Sequence, residues 1–105
     1  YGLEFAKEKK VTINVLGADQ HIIFDLIINA TSSSLDGGQA VLPKNLNGSF
    51  WYDMMYGQQT PFLIEAEKNK AKFSDGLGML VEQAAAAFEI WHKLKPDTQP
   101  TYQIL

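Results

Sequence analysis

Between Ser74 and Lys93 the chain reads S-D-G-L-G-M-L-V-E-Q-A-A-A-A-F-E-I-W-H-K, its longest periodic segment, and that period dictates a helix. Ser74 or Asp75 suits its N-cap and four successive alanines favour its middle. Lys93 and Lys95 suit the negative end of the helix dipole before Pro96 stops the run. Leu77, Val81, Ala84, Phe88, Trp91 and Leu94 recur at spacings of three and four, which predicts one apolar stripe turned toward a core. Gly76, Met79 and Gln83 share a second face over the first two turns. Taken alone they admit two readings: a relieved turn, a gap-filling thioether and a solvated amide, or a small patch that meets a ligand.

Length and charge exclude several functions. A chain of 105 residues is ordinary for one domain and buries roughly two-thirds of its unfolded surface if the fold is complete. Leu3, Phe5 and Ala6 followed by Lys7, Glu8, Lys9 and Lys10 resemble the last turns of a helix already under way at Tyr1, so the expectation is a fragment. A net charge of -3 gives no electrostatic footprint for nucleic acid or an anionic membrane. The most apolar run, Ile22 to Ala30, is interrupted by Asp25 and Asn29 and is too short to span a bilayer. With no cysteine there is no disulfide and no thiolate metal site, and His21 and His92 stand far apart in no ligand spacing. The expectation is a soluble cytoplasmic protein with no metal.

In chain order, Val11–Leu16 alternates apolar and polar residues as a short edge strand does. Phe24–Ala30 is nearly continuous in apolar residues, the pattern of a central parallel strand covered on both faces. It delivers Thr31, Ser32, Ser33 and Ser34 at its carboxyl end, where open parallel sheets bind ligands; a plain Ser/Thr loop reads the same way. Ser49–Tyr56 is an aromatic strand, and a buried Asp53 within it needs a partner. If strand geometry persists, Met54 and Tyr56 point the same way. Thr60 and Pro61 open a helix running to about Lys70, and Ala71–Phe73 is a last short strand. Beyond Pro96 the tail is expected to wrap the surface. The alternation of strands and helices predicts an α/β architecture with a largely parallel sheet and no second domain within residues 1–105.

Short motifs carry little chemistry by themselves. Gly76-x-Gly78-x-x-Val81 half-matches the dinucleotide fingerprint, but Val81 replaces its small third residue and no acidic residue follows to hold a ribose. There is no nucleophile elbow and no credible carboxylate pair.

Four separated stretches, taken together, are more specific. Asn29-Ala30-Thr31-Ser32-Ser33, Tyr52-Asp53-Met54-Met55-Tyr56, Thr60-Pro61-Phe62-Leu63 and the run from Asp75 through Gln83 to Ala85 closely resemble, in order and spacing, the C-terminal half of shikimate dehydrogenases. Phe88-Glu89-Ile90-Trp91 extends the likeness. The resemblance implies a partial Rossmann-type parallel sheet with flanking helices, the second half of a cofactor-binding domain. It implies a parent enzyme of aromatic amino-acid biosynthesis that transfers hydride between NADP and the pair shikimate and 3-dehydroshikimate. By motif position, Ala30, Thr31 and Ser32 would line NADP at a strand end. Met54, Gly76 and Met79 would lie near the nicotinamide, and Tyr56 and Gln83 would reach the substrate. Such enzymes carry their catalytic lysine and aspartate, a Gly-rich phosphate loop and an arginine-bearing segment outside this stretch, so no catalytic residue is assigned and the isolated chain is expected to be inactive. Ser34 stands where the family commonly has glycine. Missing strands would leave exposed sheet edges and invite self-association. Two alternatives stand beside this reading: a freestanding non-catalytic α/β binding or interaction module, and a quinate/shikimate dehydrogenase paralogue.

Overall fold

The computed structural model describes residues 23–32, 35 and 46–105. Three parallel strands in the order β1-β2-β3 form its sheet: β1 (Ile23–Asn29), β2 (Asn47–Asp53) and β3 (Lys72–Ser74). In register, Ile27 faces Trp51, Asn29 faces Asp53, and Trp51 faces Phe73. Ile27, Asn29, Trp51 and Asp53 therefore share one side of the pleat. The helix α1 (Pro61–Lys68) covers that side, and Trp51, Phe62, Leu63 and Ala66 form the buried core beneath it. Trp51 and Phe62 meet with ring centroids 5.0 Å apart, while the Trp51 indole N–H donates to the Gly48 carbonyl at 3.2 Å. Fully burying each such side chain is worth roughly 1.5–3 kcal/mol.

The start of α1 follows its sequence closely. Thr60 is the N-cap, its hydroxyl accepts the Leu63 N–H at 3.3 Å, and Pro61 occupies the first turn, where a missing N–H costs nothing. After β3 comes the long helix α2 (Leu77–His92), closed by Lys93 in the left-handed conformation. The expected cap is shared. Gly76 holds the geometric N-cap position without a side chain to offer, and Asp75 Oδ1 accepts the Leu77 N–H at 3.1 Å.

Three expectations change. The apolar stripe of α2 is largely open: Val81 is its one buried residue, whereas Trp91 is 75% and Leu94 64% exposed. Pro96, Thr98 and Thr101 face Ala84, Ala85 and Phe88 across an open hollow, and Trp91 and Leu94 beyond it stay exposed. Beyond Pro96 the chain forms a further helix, α3 (Gln99–Ile104), with Pro100 in its first turn; the Tyr102 hydroxyl donates to Glu82 Oε1 at 3.0 Å on α2. Finally, β1 is an edge strand of the described sheet, with Leu26 and Ile28 more than half exposed. The strand read over Val11–Leu16 lies outside the described residues.

Candidate functional site

All three strands are parallel, so their carboxyl ends lie at one edge of the sheet, and the residues singled out from sequence gather there. From the end of β1 the chain leaves through Ala30, Thr31 and Ser32, all exposed. Thr31 is held from below: its N–H and its hydroxyl both donate to Asn29 Oδ1, at 3.1 and 2.8 Å. Ser32 accepts the Leu35 N–H on its carbonyl at 3.0 Å. The ladder then gains one bond past β2, where the Met54 N–H donates to the Asn29 carbonyl at 3.0 Å.

Extended pairing does not continue through Met54 and Tyr56. Asp53 Oδ1 accepts the Met55 N–H at 3.0 Å, a turn in which the side chain replaces the ladder partner. Met54 and Tyr56 are 40% and 49% exposed on the segment so released, and Gly57 completes the turn at φ +79, a value that favours glycine.

The third wall is the entry to α2. Gly76 is buried and its N–H donates to the Met55 carbonyl at 2.8 Å. Its Cα side lies against Met54 so closely that a β-carbon there would stand 2.7 Å from the Met54 carbonyl carbon. Asp75 joins the same corner, because its Oδ2 accepts the Gly57 N–H at 3.4 Å while Oδ1 holds the first turn of α2. Half-buried Met79 and exposed Gln83 follow one and two turns along the helix face that Gly76 begins.

The structure therefore brings Ala30, Thr31, Ser32, Met54 and Gly76 to one edge, with Met79 and Gln83 rising from it and Tyr56 on the adjoining loop. Hydroxyls and backbone amides at strand ends suit the polar part of a ligand. A glycine beside thioethers suits a flat ring, and an amide can donate to and accept from a hydroxyl or carboxylate.

The supports beneath this edge are residues that the sequence singles out one by one but does not pair. Asp53 is fully buried, and Asn29 and Thr60 nearly so. Asp53 Oδ1 accepts from Asn29 Nδ2 at 3.3 Å, and Oδ2 accepts from the Thr60 hydroxyl. Polar residues interrupting two apolar strand runs are the available signal; their being register partners is not. Among the described residues no group of three or more His, Cys, Asp or Glu converges on a metal position, and no helix is long and apolar enough to cross a membrane.

The model of the shikimate 5'-dehydrogenase C-terminal domain matches residues 76–105. The NADP(+) shikimate dehydrogenase of Methylobacillus flagellatus is 50% identical over 91 residues, which are 84% of this chain and 33% of that protein. Its counterpart in Vesicomyosocius okutanii is 57% identical over 77 residues, 71% of this chain and 29% of the relative. That of Pseudoalteromonas atlantica is 42% identical over 106 residues, 96% of this chain and 39% of the relative. The chain thus spans about a third of the length of the curated relatives it matches. In three dimensions it resembles the crystal structure of an Ael1 enzyme from Pseudomonas putida, with a TM-score of 0.83 and 36% identity over 99% of this chain and 41% of that one. Motif order, strand-end geometry and these identities agree: the chain belongs to the shikimate dehydrogenase family, in which it corresponds to the C-terminal part.

Proposed function

We propose that residues 1–105 are the C-terminal part of the cofactor-binding domain of an NADP-dependent dehydrogenase that interconverts shikimate and 3-dehydroshikimate in the cytoplasm, within aromatic amino-acid biosynthesis. The observation that carries this reading is the strand-end edge itself. The motif residues that the likeness assigns to NADP converge on it from three separate stretches of sequence.

In this reading Ala30, Thr31 and Ser32 hold polar groups of the dinucleotide at the end of β1. Met54, Gly76 and Met79 border the nicotinamide: Gly76 packs without a side chain on the Met54 main chain, and two thioethers offer soft surface to a ring face. NADP, when bound, supplies the hydride acceptor. Tyr56 and Gln83 orient the substrate through a hydroxyl and an amide. The acid and base of the reaction lie outside these residues, so the 105-residue chain alone is inactive. Its open surfaces, Leu26 and Ile28 at 52% and 55% exposure among them, favour self-association of the isolated chain.

The test is an assay of the protein that carries this chain, following shikimate-dependent reduction of NADP against NAD and quinate as competitors. Shikimate-dependent reduction preferring NADP is expected. Failure to oxidise shikimate with either cofactor overturns the reading, and a preference for quinate moves it to the paralogue.

A further inference from the structure

Asn29 and Asp53 are register partners at the last rung of β1 and β2, 6% and 0% exposed. Among the described residues the Asp53 carboxylate only accepts: from Asn29 Nδ2, from the Met55 N–H and from the Thr60 hydroxyl. An amide whose NH2 group is taken by a carboxylate must turn its oxygen the other way. The Asn29 oxygen accordingly faces Thr31 and accepts from both its N–H and its hydroxyl.

The arms of this network end in different places. Through Thr60 it reaches the Leu63 N–H and the first turn of α1, an arm that serves the core. Through Asn29 it reaches exposed Thr31, and through Met55 the segment that carries Met54 and Tyr56. Stability accounts for the first arm. The second arm ties a buried amide and carboxylate to Thr31, at the strand end that the reading above gives to the cofactor.

We propose that Asn29 and Asp53 act as a positioning pair: the carboxylate fixes the Asn29 amide, and the amide oxygen sets Thr31 and its neighbours to receive the dinucleotide. This rests on the NADP-binding reading above. Neither residue touches the cofactor; each acts through the segment it holds.

The test uses the protein that carries this chain, with three variants read by KM for NADP, direct NADPH titration, KM for shikimate and thermal midpoint. Asn29→Asp sets two carboxylates against each other and displaces the Thr31 acceptor, raising the NADP constant about tenfold or more, as expected when a hydrogen-bonded buried pair is broken. The KM for shikimate moves less than the NADP constant, since the Met55 N–H keeps its acceptor on Asp53. Asn29→Asp combined with Asp53→Asn swaps the groups. Swapping does not restore the arrangement, because the side-chain atom of β2 that meets residue 29 also takes the Met55 N–H, which an NH2 group cannot accept, so the NADP constant stays raised. Should Asn29→Asp fail to fold, Asn29→Ala leaves Asp53 its Met55 and Thr60 donors, cuts the same arm, and raises the NADP constant likewise. Variants that lower the thermal midpoint while binding NADPH as wild type does overturn the pair and leave the functional reading standing, as does a swapped variant with the wild-type NADP constant. A wild-type protein that binds no NADPH overturns both.

Discussion

Gly76 packs directly on the backbone of Met54, at the point where the entry of α2 meets the end of β2. A hydrogen bond from the Gly76 N–H to the Met55 carbonyl closes the contact at 2.8 Å. The backbone of Gly76, at φ -81 and ψ 6, is open to any residue, so the glycine is required for space rather than for conformation.

Gly76→Ala therefore drives α2 away from β2, at about 1–3 kcal/mol in urea unfolding, the usual cost of overpacking a site whose neighbour is main chain. If Met54 and Gly76 border the cofactor as proposed, the same change is expected to weaken NADPH binding in the protein that carries this chain. Gly78→Ala is the control. Its β-carbon would meet only the Tyr102 hydroxyl oxygen, at 3.8 Å, and the change adds up to about 1 kcal/mol of helix propensity. Equal stability of the two variants would remove the steric argument.

Thr60 is donor and acceptor at once, giving its hydroxyl hydrogen to Asp53 and taking the Leu63 N–H. Thr60→Val removes the α1 cap and one donor of a buried carboxylate, for a combined loss of about 2–4 kcal/mol. Thr60→Ser keeps the hydroxyl and loses less than about 1.5 kcal/mol. Chemical denaturation of both variants decides the matter: a valine variant no weaker than the serine variant would mean that the cap and the carboxylate contact contribute little.

The elements themselves are legible in the sequence because their signals are local. The cap and proline of α1, the apolar run of β1 and the period of α2 each lie within one segment. The candidate site is proposed on a different ground, the likeness of four separated motifs whose residues the fold brings to one edge. What sequence does not reveal is long-range. The pairing of Asn29 with Asp53 depends on strand register across 24 residues, and nothing in either run states which rung meets which. The open stripe of α2 escapes for the same cause: periodicity says which face of a helix is apolar but not whether a surface exists to cover it. The end of β2 at Asp53 is hidden by the aromatic run continuing to Tyr56, since a side-chain acceptor, not composition, stops the ladder there.

Gln83 is exposed on α2, two turns beyond Gly76, with no buried surface to lose. In the protein that carries this chain, Gln83→Ala is expected to leave the thermal midpoint nearly unchanged and to raise the KM for shikimate about tenfold, the loss of hydrogen bonds to a polar substrate. The NADP constant should stay within about twofold. Steady-state kinetics with each substrate varied in turn provides the check; an unchanged shikimate KM would withdraw Gln83 from the substrate site.

Tyr102 joins α3 to α2, its hydroxyl 3.0 Å from Glu82 Oε1 and 3.4 Å from the Gly78 carbonyl. Its pKa is raised from the ordinary 10.0, first by desolvation, then by the hydrogen bond to Glu82 and by the repulsion between that carboxylate and a phenolate. The sign follows from linkage. The folded chain holds this proton more tightly than the unfolded chain, so the contribution is fully present below pH 10.0 and is lost as pH rises through the folded value. In that window the wild-type chain loses stability with rising pH faster than Tyr102→Phe, which has no proton there to release. Urea midpoints measured for both across neutral to strongly alkaline pH give the answer. Two parallel curves would show that the α3 contact contributes nothing through its proton, whereas curves that converge at high pH would establish the Tyr102–Glu82 bond as what holds α3 onto the helix carrying Met79 and Gln83.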